Sequence, residues 1–227
     1  DILIADNPGA AELLEENQTV DKIIKFHWRK KSFFEKLELI FKLRKEKYDW
    51  AIVTSWTNPL KGGLLAFLLG AKNRMGTFKD RKSLFYTHQV SGIDTKPRRE
   101  TNLDLIRMMG ADTKEIPSPF FEFKQEDKGF AQDFIRKIGA QDKILIGFHP
   151  GADSVHAYLL WPKDYFIELG KKISENYGDA RILLFGGPEE KALCQEIKHG
   201  IGDGAFLATD LSLKQVAALM TKCRIFV

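Results

Sequence analysis

The chain holds 227 residues, 44% hydrophobic and 29% charged, with aromatic residues spread along its length, a composition that excludes a disordered chain and is ordinary for a globular one. Its formal charge of +4 falls far short of a nucleic-acid-binding composition and suits an anionic substrate or a weak hold on an anionic membrane. The two cysteines, Cys194 and Cys223, stand outside any CxxC or Cys/His ligand spacing, which argues against a structural metal site and fits a reducing compartment; no apolar run reaches the roughly 20 residues of a membrane span.

In chain order, Ile2–Ala5 reads as a strand and residues 10–16 as a helix. A short strand over 21–26 follows. Ser32 with Glu35 three residues later forms a capping box ahead of an amphipathic helix to about Lys47. Residues 50–54 predict a buried strand. Residues 61–69 predict a helix stopped by Gly70, whose apolar stretch Leu64–Leu69 is expected to face the core. Arg74-Met75-Gly76 lies on or beside another strand, and residues 101–109 form a helix closed by Gly110.

Ile116-Pro117-Ser118-Pro119 breaks the pattern, because two prolines this close stop both helix and central strand. A domain boundary is expected between it and the polar run 124–128, giving domains 1–120 and 121–227. The second half restarts the alternation: helix 129–138, strand 143–148, helix 163–176, strand 181–185, helix 188–198, strand 205–207, helix 212–221 and strand 224–227. Repeated βα units imply mostly parallel sheets flanked by helices. The fold class is α/β: two Rossmann-like domains facing a cleft. The chain starts without Met and both ends read as strands, so truncation at both ends is expected.

Four stretches in the second half could carry chemistry. The strand 144–148 runs into His149-Pro150-Gly151-Ala152. A glycine just past a strand either brings backbone amides to a phosphate or only makes a tight turn. His149 alone reads as a packed or hydrogen-bonded core histidine rather than a catalyst. Trp161-Pro162-Lys163 opens a helix, with Trp161 as an aromatic anchor. Gly186-Gly187-Pro188-Glu189-Glu190 is again strand, loop and helix start; its carboxylates could receive ribose hydroxyls or complement a helix N-terminus. Ser212 is a natural N-cap. In the first half, Trp56 to Gly63 forms a polar, glycine-rich loop, and Arg74, Lys79, Arg81, Lys82, His88, Lys96, Arg98 and Arg99 form a basic region that either grips an anion or is a solvated face. No GxGxxG, GxxxxGKS, GxSxG or HExxH pattern is present, so nucleophilic Ser or Cys catalysis has no support.

Taken in order, His149-Pro150-Gly151-Ala152, Trp161-Pro162, Gly186-Gly187-Pro188 and Leu211-Ser212-Leu213 resemble the ADP-heptose:lipopolysaccharide heptosyltransferases of glycosyltransferase family 9. Val20 to Ile24, Tyr48 to Val53, Gly70 to Gly76 and His88 are similar to that family's first-domain segments. The resemblance implies a GT-B fold, with an acceptor-binding N-terminal domain and a nucleotide-sugar-binding C-terminal one, and inverting transfer of a heptose from ADP-heptose to the lipopolysaccharide inner core. Donor-binding residues would be Pro150, Gly151, Ala152, Ser154, Lys163, Gly186, Gly187, Glu189, Leu211 and Ser212. The loop at Pro150 would face the diphosphate, Glu189 the ribose, and the backbone near Leu211 and Ser212 the base. Trp56, Lys61, Arg74 and His88 are the acceptor-binding candidates.

The resemblance implies no cofactor or metal beyond the ADP-sugar substrate. It implies a lipid A–core oligosaccharide as acceptor, no nucleic acid, and a cytoplasmic location with room for peripheral contact with the inner membrane. It places the acceptor-activating carboxylate ahead of Asp1 and a further Asp-Thr/Ser-Gly loop beyond Val227, so no catalytic base is named. The family carries Lys-Arg before Trp-Pro where this chain has Leu159-Leu160. That departure admits an alternative, a non-catalytic or differently specific sugar-nucleotide binder of the same fold.

Overall fold

The computed structural model describes residues 1–15, 17–54, 57–78, 83–91, 96–113, 121–151 and 160–227. Ile116-Pro117-Ser118-Pro119 lies outside these residues. The chain folds into two compact units: one joins Asp1–Lys25 to Phe121–Val227, and the other is Phe26–Phe120. The sequence reading assigned residues 1–25 to the first half. The packing groups them with the second half.

In the first unit, β1 (Ile2–Ala5) pairs with β2 (Ile23–Phe26), and α1 (Pro8–Leu14) follows β1. The larger part runs α5 (Gln125–Lys137), β6 (Ile144–Phe148), α6 (Lys163–Asn176), β7 (Ala180–Gly186), α7 (Lys191–Ile201), β8 (Ala205–Thr209), α8 (Leu213–Met220) and β9 (Cys223–Phe226). Its four strands lie in the order β8-β7-β6-β9, every pair parallel. Alternation along β7 sends Leu183 and Phe185 to the face covered by α5 and α8, where Ile135 and Leu219 are buried. Ile182 and Leu184 point to the other face, against Phe166 of α6 and Ile197 of α7. Helices cover both faces, which is why these strands read as unbroken apolar runs. Gly147 lets β9 approach β6: a Cβ there would lie 2.3 Å from the Phe226 ring. On α1, Glu12 accepts a hydrogen bond from the Leu213 N–H (3.0 Å), and the Leu213 side chain sits against Gly9.

Three local features differ from what the sequence pattern predicts. Helix α5 starts at Gln125 and not at Gly129, because Asp127 accepts from the Lys124 N–H at 3.1 Å and starts the helix there. Helix α7 begins at Lys191, with Pro188 to Glu190 forming a turn before it. His149 is exposed, not packed, with its N–H donating to the Val227 carbonyl (2.8 Å).

The second unit holds α2 (Phe33–Arg44), β3 (Trp50–Ile52), α3 (Pro59–Leu68), β4 (Asn73–Phe78), β5 (His88–Ser91) and α4 (Arg98–Arg107). Its parallel sheet has the order β3-β4-β5. The capping box of Ser32 and Glu35 starts α2. Helix α3 packs through Gly62, Gly63 and Ala66, while Leu64, Phe67 and Leu68 are exposed, so the apolar stretch Leu64–Leu69 does not face the core as a whole. Tyr86 fills the space left by Gly63 and Gly76 and donates its hydroxyl to the Pro59 carbonyl (2.6 Å). Burial pushes its phenol up to about 12, so it stays neutral. Strand β5 was not foreseen in the sequence.

Candidate functional site

The strand order fixes where a ligand can sit in the first unit. The chain moves outward from β6 through β7 to β8, then returns by α8 to place β9 on the other side of β6. Since all four strands are parallel, the loops after them leave from one edge. Between β6 and β9 the winding direction reverses, and in open parallel sheets such a reversal is where ligands bind, outside the strand C-termini. His149-Pro150-Gly151 leaves β6 at that point. Pro150 is buried and removes one N–H donor, while His149 is tied to Val227 at the end of the β9 ladder.

The next loop converges on the same turn. Glu190, the residue just before α7, accepts from the Gly187 N–H (2.5 Å) and donates its own N–H to the Gly187 carbonyl (3.1 Å). Its carboxyl group also lies against Gly151: a Cβ on Gly151 would be 2.4 to 2.6 Å from the Glu190 side chain, and one on Gly187 would be 2.9 Å from it. Two strand-to-helix loops therefore meet around a half-buried carboxylate, and neither glycine tolerates a side chain without displacing it. A carboxylate so placed accepts hydrogen bonds from hydroxyl groups. Helix α6, which follows the loop after β6, starts with Pro162 as N-cap and no side-chain cap. Its first N–H groups lack an intrahelical partner and favour an anion. Trp161 anchors that end by packing edge-on against buried Phe166, ring centroids 4.9 Å apart.

The sequence matches the family model for glycosyltransferase family 9 (heptosyltransferase) over residues 37–227. The chain belongs to glycosyltransferase family 9. Its fold, shared with GT-B glycosyltransferases, is that of a family 9 glycosyl transferase from Veillonella parvula DSM 2008 (TM-score 0.80, 20% identity, 99% of this chain and 65% of that one). It is also that of the E. coli ADP-heptose lps heptosyltransferase II (TM-score 0.75, 19% identity, 99% of this chain and 68% of that one). This family 9 chain thus spans about two thirds of the length of those structures. No curated protein matches it significantly.

Of the donor-side candidates in this family 9 chain, Pro150, Gly151, Gly186 and Gly187 come together with Glu190. Ala152, Ser154 and Leu159 lie outside the described residues. Glu189 is exposed in the turn, so the carboxylate shared by the two loops is Glu190. A helix starting at Pro188 does not tell the two glutamates apart, and the family resemblance points to Glu189 for the ribose. The sequence signal was the spacing Gly187-x-x-Glu190, which lets a carboxylate turn back onto the loop's own amide.

Lys163 is in the first turn of α6, but its amine is 2.5 Å from Glu196 of α7; that hydrogen bond raises its pKa. Ser212 caps α8, its hydroxyl accepting from the Gln215 N–H (3.2 Å) while the Gln215 side chain accepts from the Ser212 N–H (3.0 Å). Leu211 packs against the core on the α5/α8 face.

The acceptor-side candidates do not form one cluster. Lys61 lies near the start of α3, beyond the C-terminal end of β3, and its N–H donates to Asn58 (3.1 Å). Arg74 and His88 are at the N-terminal ends of β4 and β5, the opposite edge of that sheet. Arg74 donates to the carbonyls of Phe85 and Ala71, each at 2.7 Å, and stacks over Phe67. It fastens loops rather than reaching outward. His88 contacts the Thr87 hydroxyl through Nδ1 (2.8 Å) and packs against Trp50. Lys96, from the same basic region, pairs with Asp104. Trp56, Lys79, Arg81 and Lys82 lie outside the described residues. In the first unit, a cavity of about 480 Å³ beside Lys198, His199 and Phe206 sits at the end of α7 and the start of β8. That is the edge away from the Pro150 turn, so strand polarity argues against it as the nucleotide site.

Proposed function

We propose that this chain carries the donor-binding half and part of the acceptor half of an inverting glycosyltransferase. The enzyme moves a heptose, or a related sugar, from ADP-heptose to the inner core of lipopolysaccharide. The observation that supports this most is the junction of Gly151, Gly187 and Glu190 at the reversal of strand order. In this reading the turn at Pro150 and the open N-terminus of α6 receive the diphosphate, Glu190 receives the ribose hydroxyls, and the backbone near Leu211 and Ser212 borders the base. The leaving nucleoside diphosphate gains negative charge in the transition state, and preorganised amides stabilise such charge without reorganisation. The acceptor is the lipid A–core oligosaccharide, approached on the cytoplasmic side of the inner membrane.

A second reading is favoured by Leu159-Leu160, which put two apolar residues where the family has a basic pair. Fewer cations near the phosphates would suit a sugar-nucleotide binder of other specificity. Calorimetry with ADP, UDP and GDP separates the two. The first reading expects ADP to bind, and Glu190→Gln to weaken it roughly tenfold or more, the usual worth of a hydrogen bond to a charged group. Preference for UDP or GDP would support the second. No binding of any nucleoside diphosphate, or undiminished binding by Glu190→Gln, would overturn the proposed site.

A further inference from the structure

The turn from β8 into α8 sits beside Gly187, because Gly186 pairs with Thr209 in the parallel register and both segments leave the sheet there. Its polar groups are taken up one by one. The Ser212 N–H donates to the Gln215 side chain (3.0 Å), and the Ser212 hydroxyl accepts from the Gln215 N–H (3.2 Å). The Asp210 carboxylate holds the Lys191 amine. The Leu213 N–H donates to one oxygen of Glu12 at 3.0 Å. Helix α1 brings Glu12 there from the first 25 residues, and Gly9 lets the Leu213 side chain close against that helix. Glu12 is half-buried, and its other oxygen takes no hydrogen bond among the described residues. Its neighbour Glu15 is paired with Lys25.

The starts of α6 and α8 therefore suit different chemistry. Helix α6 has no side-chain cap and can receive an anion. At α8 the N–H groups of Ser212, Leu213 and Gln215 are already bonded, and the Glu12 carboxylate repels a second anion. An ionised carboxylate accepts hydrogen bonds and donates none. The spare oxygen of Glu12 thus suits an uncharged donor. On a nucleobase edge it favours an exocyclic amino group and opposes a carbonyl.

We infer that Glu12 is a specificity-determining residue of the donor site, its spare oxygen accepting from the exocyclic amino group of an adenine-type base. A side chain from residues 1–25 then reads the donor, a task that the resemblance assigns to the second half of the chain. The inference rests on the proposed donor site, in which the turn at Leu211 and Ser212 borders the base. Sites built to bond a polar group discriminate strongly against an analogue that lacks it, because their own group is left unpaired.

Calorimetry of the full chain with ADP and with purine riboside 5′-diphosphate, which lacks only the amino group, tests it. ADP is expected to bind about tenfold or more tighter than the purine analogue. Glu12→Gln should abolish that preference by weakening ADP while leaving the analogue within about twofold. Its amide oxygen still accepts from the Leu213 N–H, so melting should be unchanged, but its NH2 now meets the amino group donor to donor. Glu12→Ala should abolish the preference as well. Glu190→Gln should weaken both ligands alike, since they carry the same ribose. Equal binding of the two ligands by the parent chain, or a preference that survives both Glu12 variants, would overturn the inference and leave the donor site standing. So would an equal loss for both ligands in Glu12→Gln, which would make Glu12 only a prop for α8. Absence of binding by either ligand would overturn the donor site and this inference with it.

Discussion

The two larger sheets of this chain bury similar apolar material to different depths. In the sheet of β6 to β9, Ile182 to Phe185 of β7 are all buried, because α5 and α8 close one face and α6 and α7 the other. In the sheet of β3 to β5, the equally apolar run Leu64–Leu69 in α3 buries only Ala66, and Ile52 of β3 remains exposed. An apolar run therefore reports that a surface seeks cover, while the number of layers packed on it decides whether it finds any. The first region concentrates its cohesion in strands. The second joins helix to sheet through glycines and Tyr86 and leaves large side chains outside.

The sharpest way to break this comparison is to truncate one apolar side chain on each side. Ile182→Ala, in β7 between two helix layers, should cost about 2–5 kcal/mol, the range for emptying a packed core site. Phe34→Ala on α2 should change stability by about 0.5 kcal/mol or less, as exposed substitutions do. Denaturant unfolding measures both, and comparable losses would refute the contrast. A smaller effect tests close packing at the β6–β9 seam. Gly147→Ala places a methyl where the Phe226 ring lies, and overpacking of this kind costs about 1–3 kcal/mol. Combining it with Phe226→Leu should recover part of that loss in a double-mutant cycle; full additivity would mean the seam yields elsewhere.

Legibility in the sequence followed the same division. Helix α6 was readable at both ends because Pro162 fixes its start and Phe166, Leu169 and Ile173 keep helical spacing until Asn176. The strands β6 and β7 were readable because burial on both faces leaves an unbroken apolar run. Strand β5 was not, since His88-Gln89-Val90-Ser91 carries no such run and is a strand through its pairing with β4. At the site, Pro150-Gly151 after an apolar strand was a visible turn. The choice between Glu189 and Glu190 was not visible, because it depends on where α7 begins. Arg74 read as a free cation because its carbonyl partners, 71 and 85, come from folded loops and leave no trace in composition.

The two capping boxes allow a finer comparison between the units. Ser212→Ala on α8 removes a side-chain cap and should cost about 1 kcal/mol. The proposed base contact there uses backbone, so ADP affinity measured by calorimetry should stay within about twofold, well inside the tenfold that 1.4 kcal/mol represents. A large fall in affinity with unchanged stability would move Ser212 from helix cap to ligand contact.

The smallest expected effect concerns pH. The box on α2 ends in a carboxylate, Glu35, and that on α8 in an amide, Gln215. Glu35 accepts from the Lys31 amine (2.6 Å), the Ser32 N–H (2.9 Å) and the Ser32 hydroxyl (2.8 Å). These bonds, the lysine's first, lower its pKa from the usual 4.5 to about 2. A pKa depressed by folding stabilises the folded form above the unfolded value. That contribution shrinks as pH falls from about 4.5 and is gone below about 2. The start of α2 should therefore loosen in that window, while α8, capped by a group that does not titrate, keeps its first turn unless other carboxylates release it. Carboxyl NMR shifts of Glu35 with amide exchange at Lys36 and Val216 follow the two ends separately. A Glu35 midpoint near 4.5 would show that the box is open in solution, and equal loosening at both helices would show that acid acts on the whole fold and not on this cap.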